Sequence, residues 1–156
     1  MNLTERIELS FKHWNRPIIL TKSSTLSEDE LLEVRHFEDL TNSNLTIADL
    51  EDNFSVMYWF TPEAYCYFLP GILIAGLKAH RDDLLIYDSI VNLLDRSPEP
   101  DYWDEFFIDR WQLLTNDEIE IIQEWLLWLT SQNSPYDDIS LGRCFDTLEL
   151  LVKQKI

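Results

Sequence analysis

The stretch TPEAYCYFLPGILIAGL, residues 61–77, decides the fold. Thr61, Pro62 and Glu63 read as a helix start: a capping hydroxyl, a proline at the first helical position and an acid in the first turn. From Ala64 to Leu77 the chain carries no charge, and Tyr65, Phe68, Leu69, Ile72, Leu73 and Ile74 cover nearly every side of the predicted helix. A helix that is apolar all round belongs in the centre of a domain. The run falls short of the roughly 20 apolar residues a bilayer span needs, and extending it backwards brings in Glu63 and Pro62. Pro70 lies inside the run and is expected to kink the helix or split it.

Helix signals recur on both sides of this element. Ser27 with Glu30 is a capping box opening a helix near 28–39, Thr46 with Asp49 opens a short one, and Thr115 with Glu118 opens NDEIEIIQEWLLWLTSQ. In residues 83–95, Tyr87, Ile90, Val91 and Leu94 share a face. After Ser134 and Pro135, the positions Leu141, Cys144, Phe145, Leu148, Leu151 and Val152 keep helical spacing. A further helix is expected over 4–14, and RPIILTKSS (16–24) reads as a short extended stretch. With only three glycines, an all-β fold rich in tight turns is excluded. The expectation is an all-α fold: a single compact domain over 1–156, six to eight helices layered round a buried central one.

The charge is the outlier, with 29 acids against 12 bases and a formal net charge of −17. Residues 25–67 carry ten acids and one base, and residues 101–150 carry twelve acids and two bases. Such a surface repels phosphates, so neither direct nucleic-acid binding nor docking on an anionic membrane is expected. It attracts basic proteins instead. Cys66 and Cys144 sit in apolar helical patterns and read as buried, reduced thiols of a cytoplasmic protein, with a disulfide between them left open. The start MNLTERIELSF carries charges and has no continuous apolar core, so it does not read as a signal peptide.

The stretch PEPDYWDEFFIDRW (98–111) interleaves large aromatics with five carboxylates. Wound as one helix over 101–114, it gathers Trp103, Phe106, Phe107, Trp111 and Leu114 on a core face. Asp101, Asp104, Glu105 and Asp109 then crowd the outside with Tyr102, and only Arg110 stands beside them. On the next helix Asp117, Glu120 and Glu124 form an acidic ridge with no basic partner on that helix. Like charges at this spacing cost a few tenths of a kcal/mol each, and a surface serving solubility alone would mix signs more freely. These eight residues (Asp101, Tyr102, Asp104, Glu105, Asp109, Asp117, Glu120 and Glu124) are the candidate partner-binding surface. The acidic block Glu28 to Asp39 is the alternative face.

Catalytic patterns are weak. Glu33 and His36 have the spacing of a di-iron half-site, but neither His13 nor His80 has an acid three residues before it to supply the second half. Three scattered histidines and two distant cysteines make no zinc pattern. No phosphate loop, dinucleotide fingerprint or nucleophile elbow occurs. No catalytic residue, cofactor or metal is therefore assigned.

FTPEAYCYFLP (60–70) resembles the signature of an uncharacterised bacterial domain family, in which a Ser/Thr-Pro-Glu-Ala helix start runs into an aromatic segment ending in Leu-Pro. LLTNDEIEIIQEWLLWL (113–129) is a second family-like feature, and the likeness covers roughly residues 45–130. It implies a bacterial helical domain and carries no catalytic residues over. In size, acidity and lack of a catalytic pattern, the chain is also similar in type to immunity proteins of bacterial toxin systems.

The expected function is that of a protein-binding inhibitor, an immunity protein neutralising a basic, nuclease-type toxin domain. A nuclease cleft is rich in Lys and Arg because it holds a polyanion. Ordered carboxylates on a rigid scaffold complement such a cleft, and a few aromatic anchors secure the complex. A DNA mimic belongs to the same class. The rival readings are an enzyme with a carboxylate or metal site, and an adaptor module whose acidity serves only solubility.

Overall fold

The computed structural model describes residues 1–154. Its helices are α1 (Leu3–Phe11), α2 (Glu28–His36), α3 (Ile47–Asp52), α4 (Pro62–Ala79), α5 (Leu85–Leu94), α6 (Glu105–Trp111), α7 (Asn116–Ser131) and α8 (Asp138–Gln154). Short 3-10 turns occupy Phe37–Asp39, Val56–Tyr58 and Pro100–Tyr102, and no strand occurs among the described residues. The fold is all-α, built round α4.

The caps work as their chemistry demands. Thr61 accepts the Ala64 N–H at 3.1 Å, and Ser27 accepts the Glu30 N–H at 3.2 Å. Thr46 and Thr115 each form a full reciprocal box, with Asp49 and Glu118 respectively. The segment Ala64–Leu73 is buried on all sides. Full burial of each large apolar side chain is worth roughly 1.5–3 kcal/mol, so this one helix anchors the core. Phe68 stacks on Phe60 at 5.1 Å and meets the edge of Phe37 at 5.3 Å. Tyr65 meets Trp111 edge-on at 5.9 Å. Helix α1 packs on α4 and α7, α5 on α8, and α6 on α4.

Pro70 does not split α4, which runs unbroken from Pro62 to Ala79. A proline removes the donor to the carbonyl four residues back and crowds the turn before it. At that turn Asn42, from the loop after α2, donates its Nδ2 to the Tyr67 carbonyl at 2.6 Å. Residue 71 must be small for this: a Cβ there would lie 2.4 Å from Asn42 Oδ1. The carbonyl to which a residue-70 N–H would have donated is that of Cys66, so the loop bond falls one residue further on and ties the loop to the helix beside the proline step.

Two local expectations are corrected. The stretch 101–114 is not one helix: Trp103 and Asp104 are extended, and α6 begins only at Glu105. Asp104 is the reason, because its carboxylate accepts the Phe107 N–H at 2.8 Å as an N-cap, a place aspartate favours over a helix interior. Trp103 is still buried, but its indole N–H donates to the Ser97 carbonyl at 2.9 Å and lies out of helical register. The stretch 16–24 is irregular, not a strand. It is pinned where the Leu20 carbonyl accepts the Thr61 N–H at 2.8 Å and where Arg16 donates to the carbonyls of Phe37, Glu38 and Leu40.

Candidate protein-docking surface

The 3-10 turn Pro100–Tyr102, the N-cap Asp104 and helix α6 carry five of the eight candidate residues. Asp101, Tyr102, Asp104, Glu105 and Asp109 are all exposed, Tyr102 by 79%. Their environments differ. Asp104 caps α6 and lies 3.3 Å from the Arg96 guanidinium, so its charge is partly answered. Asp101, Glu105 and Asp109 have no ion-pair partner among the described residues.

The α7 residues stand apart from this group in their neighbours. Asp117 and Glu120 are exposed, and with Glu124 they line a groove of about 300 Å³ shared with Met1, Arg6 and Leu9 of the N-terminal segment. Arg6 Nη2 reaches Glu124 Oε2 at 2.7 Å. The ridge that lacks a basic partner on its own helix therefore has one from α1 at its Glu124 end. Glu118, on the same helix, is fully buried and serves the fold. It accepts from the Thr115 N–H at 2.8 Å and the Trp14 indole at 2.7 Å, and lies 3.3 Å from His13 Nε2, tying the end of α1 to the start of α7.

Sequence reading assigned Phe106 to the core and passed over Tyr58 altogether. Tyr58 is 38% exposed and its ring lies 6.4 Å from that of Phe106, which is half-buried between the exposed Glu105 and the helix body. Phe106 in turn carries the Arg110 guanidinium 3.5 Å over its face. Arg110 is buried and makes no ion pair among the described residues; it donates to the carbonyls of Phe60 and Phe106. Burial pulls its pKa below the ordinary arginine value, and Asp109 and Glu63 are among the acids near enough to oppose that. Glu63, exposed in the first turn of α4, thereby joins Asp109 beside the same arginine. No spacing rule links Tyr58, Glu63 and Phe106 in sequence; the packing of α6 on α4 brings them together.

The remaining candidates resolve into structural roles. Glu33 accepts from the Trp59 indole at 3.0 Å and the Ser55 N–H at 3.2 Å, whereas His36 bonds Asp49 at 2.8 Å. The two members of the half-site spacing thus serve different neighbours. Cys66 and Cys144 are both buried thiols and are not joined. Burial pushes the Cys144 thiol up to about 12, so it is no nucleophile near neutrality. No helix among the described residues is long and apolar enough to cross a membrane.

No family model, curated protein or solved structure matches the chain.

Proposed function

We propose that this chain is a protein-binding inhibitor, an immunity protein that neutralises a basic nuclease-type toxin domain in the bacterial cytoplasm. One observation carries the reading. Glu105 and Asp109, exposed and without an ion pair among the described residues, stand on α6 with Phe106, whose ring lies 6.4 Å from that of the partly exposed Tyr58; Asp101 and the protruding Tyr102 are just upstream, and Glu63 acts on the same Arg110 as Asp109. Tight interfaces need aromatic anchors that can be desolvated and a complementary field that brings the partner in. A surface serving solubility alone needs no aromatic residue at its middle. The chain acts by occupying a cationic surface, with no catalytic group or cofactor of its own.

Within the eight-residue surface, the α6 group takes the leading role. Asp104 is a capping residue, and Glu124 faces Arg6. The ridge Asp117–Glu120 is a secondary contact, and the α2 block an alternative.

The test is capture from the native host by the intact protein, followed by an activity assay. The expected partner is basic, elutes with salt, cleaves nucleic acid when free and is silenced by one equivalent of this chain. A captured partner that binds nucleic acid without cleaving it shifts the reading to a DNA mimic. A partner of neutral or acidic charge, or no saturable partner, overturns it.

A further inference from the structure

A cavity of about 520 Å³, lined by no residue of α6, lies between α1, the loop 41–45 and the middle of α4. That is the size of a small-molecule site. Its apolar wall is made by Phe11, Trp14, Leu45 and Ile74, with the Pro70–Gly71 step of the central helix behind them. Tyr67 is 9% exposed and also lines it, and its hydroxyl has no hydrogen-bond partner among the described residues.

The charge at the mouth is unlike that of the rest of the chain. Lys12 from α1's end and Lys78 from α4 stand there with a single carboxylate, Glu8. Lys78 and Glu8 touch loosely at 3.8 Å, both more than half exposed, and Lys12 has no ion pair among the described residues. Two further grooves have the opposite balance: Arg16 against Glu38 and Asp39 in one, Arg6 against Asp117, Glu120 and Glu124 in the second. In a chain of net charge −17, this cavity thus has a rim that favours an anion.

We propose that this cavity binds a small amphiphile with a single carboxylate head, its aliphatic or aromatic body lying along Phe11, Trp14, Leu45 and Ile74 and its head between Lys12 and Lys78. The apolar wall supplies affinity by area removed from water. The two ammonium groups select the sign of the head. The site is independent of the docking surface on α6 and does not rest on it.

The probe is decanoate, titrated into the whole protein by calorimetry and by backbone amide chemical shifts, with decylammonium as the counterpart of equal chain length. The expected result is saturable one-to-one binding of decanoate, with shifts concentrated in residues 8–14, 41–45 and 67–78. Decylammonium, which the net charge of the protein favours, should leave those shifts in place. The double variant Lys12→Gln/Lys78→Gln, confined to exposed side chains, should weaken decanoate about tenfold or more, since two charge-assisted contacts are lost. Ala75→Trp, on the half-buried wall, should abolish binding by filling the space. The proposal is overturned by any of three results: no saturable binding of decanoate, equal displacement of the same shifts by decylammonium, or affinity unchanged in the double-lysine variant.

Discussion

The carboxylate of Asp104 accepts the Phe107 N–H at 2.8 Å and lies 3.3 Å from Arg96, so it is a structural group before it is a binding one. Replacing it with alanine should lower stability by about 1 kcal/mol, the usual worth of an N-cap. Asp104→Asn keeps a capping oxygen and should cost less. Thermal melts of the two variants check this, and equal melting points for Asp104→Ala and the parent would show that the cap carries no weight. Glu118 is the same lesson further inward: it stands in sequence between the ridge acids Asp117 and Glu120, yet it is fully buried on Thr115, Trp14 and His13. Asp49 is a third case. Burial pushes its carboxyl up, but the bonds from His36 and from the Thr46 N–H and hydroxyl outweigh that and hold it below the ordinary aspartate value. A carboxyl whose folded pKa is depressed contributes stability above its unfolded pKa, near about 3.9, and loses it as pH falls through the folded value. The stability gap between the parent and Asp49→Asn should therefore be widest near neutrality and close below about pH 4. Denaturant melts at several pH values measure it, and a gap that widens in acid contradicts the assignment.

At the scale of elements, what was legible in the chain was what is local. Thr61-Pro62-Glu63 specifies where α4 starts, and the charge-free run after it specifies burial on all sides. The boxes at Thr46 and Thr115 are legible for the same reason: cap and partner stand three residues apart. The start of α6 was missed because the apolar spacing continues through Trp103, while the capping preference of Asp104 competes with it and wins. The behaviour of α4 at Pro70 was illegible for a different reason. The group that bonds the Tyr67 carbonyl is Asn42, 25 residues upstream, and no periodicity points to it. Removing that bond by Asn42→Ala leaves a carbonyl at the proline step without this donor, in a part-buried site. A cost of roughly 0.5–1.5 kcal/mol is expected, the net worth of one hydrogen bond. Amide exchange should show the loss as faster opening of α4 around residues 67–71, and unchanged protection there would remove Asn42 from the account.

Across the whole molecule, the all-α architecture followed from composition and pattern, and the candidate site only in outline. The acids of 101–109 were visible in sequence and are exposed, but their aromatic complement was not. Tyr58 comes from the turn before α4, Glu63 from its first turn and Phe106 from α6, and only tertiary packing gathers them. The same packing answers two of the seven candidate carboxylates, Asp104 and Glu124, so the effective negative field is smaller and more local than a net charge of −17 implies. Glu105 and Asp109 make no cap or ion pair among the described residues, so reversing them probes the field, and thermal melts of the variant check that losing the Asp109 charge near the buried Arg110 leaves the fold intact.

The most direct measurement is therefore the association rate of the captured partner with the parent and with Glu105→Lys/Asp109→Lys, from low to high salt. The account predicts a steep fall of the parent's rate with added salt, from a steered rate toward about 10⁸ M⁻¹ s⁻¹, and a reversal variant at least about tenfold slower at low salt that converges on the parent at high salt. Rates for the two proteins that coincide at every salt concentration, with both folded, would contradict it.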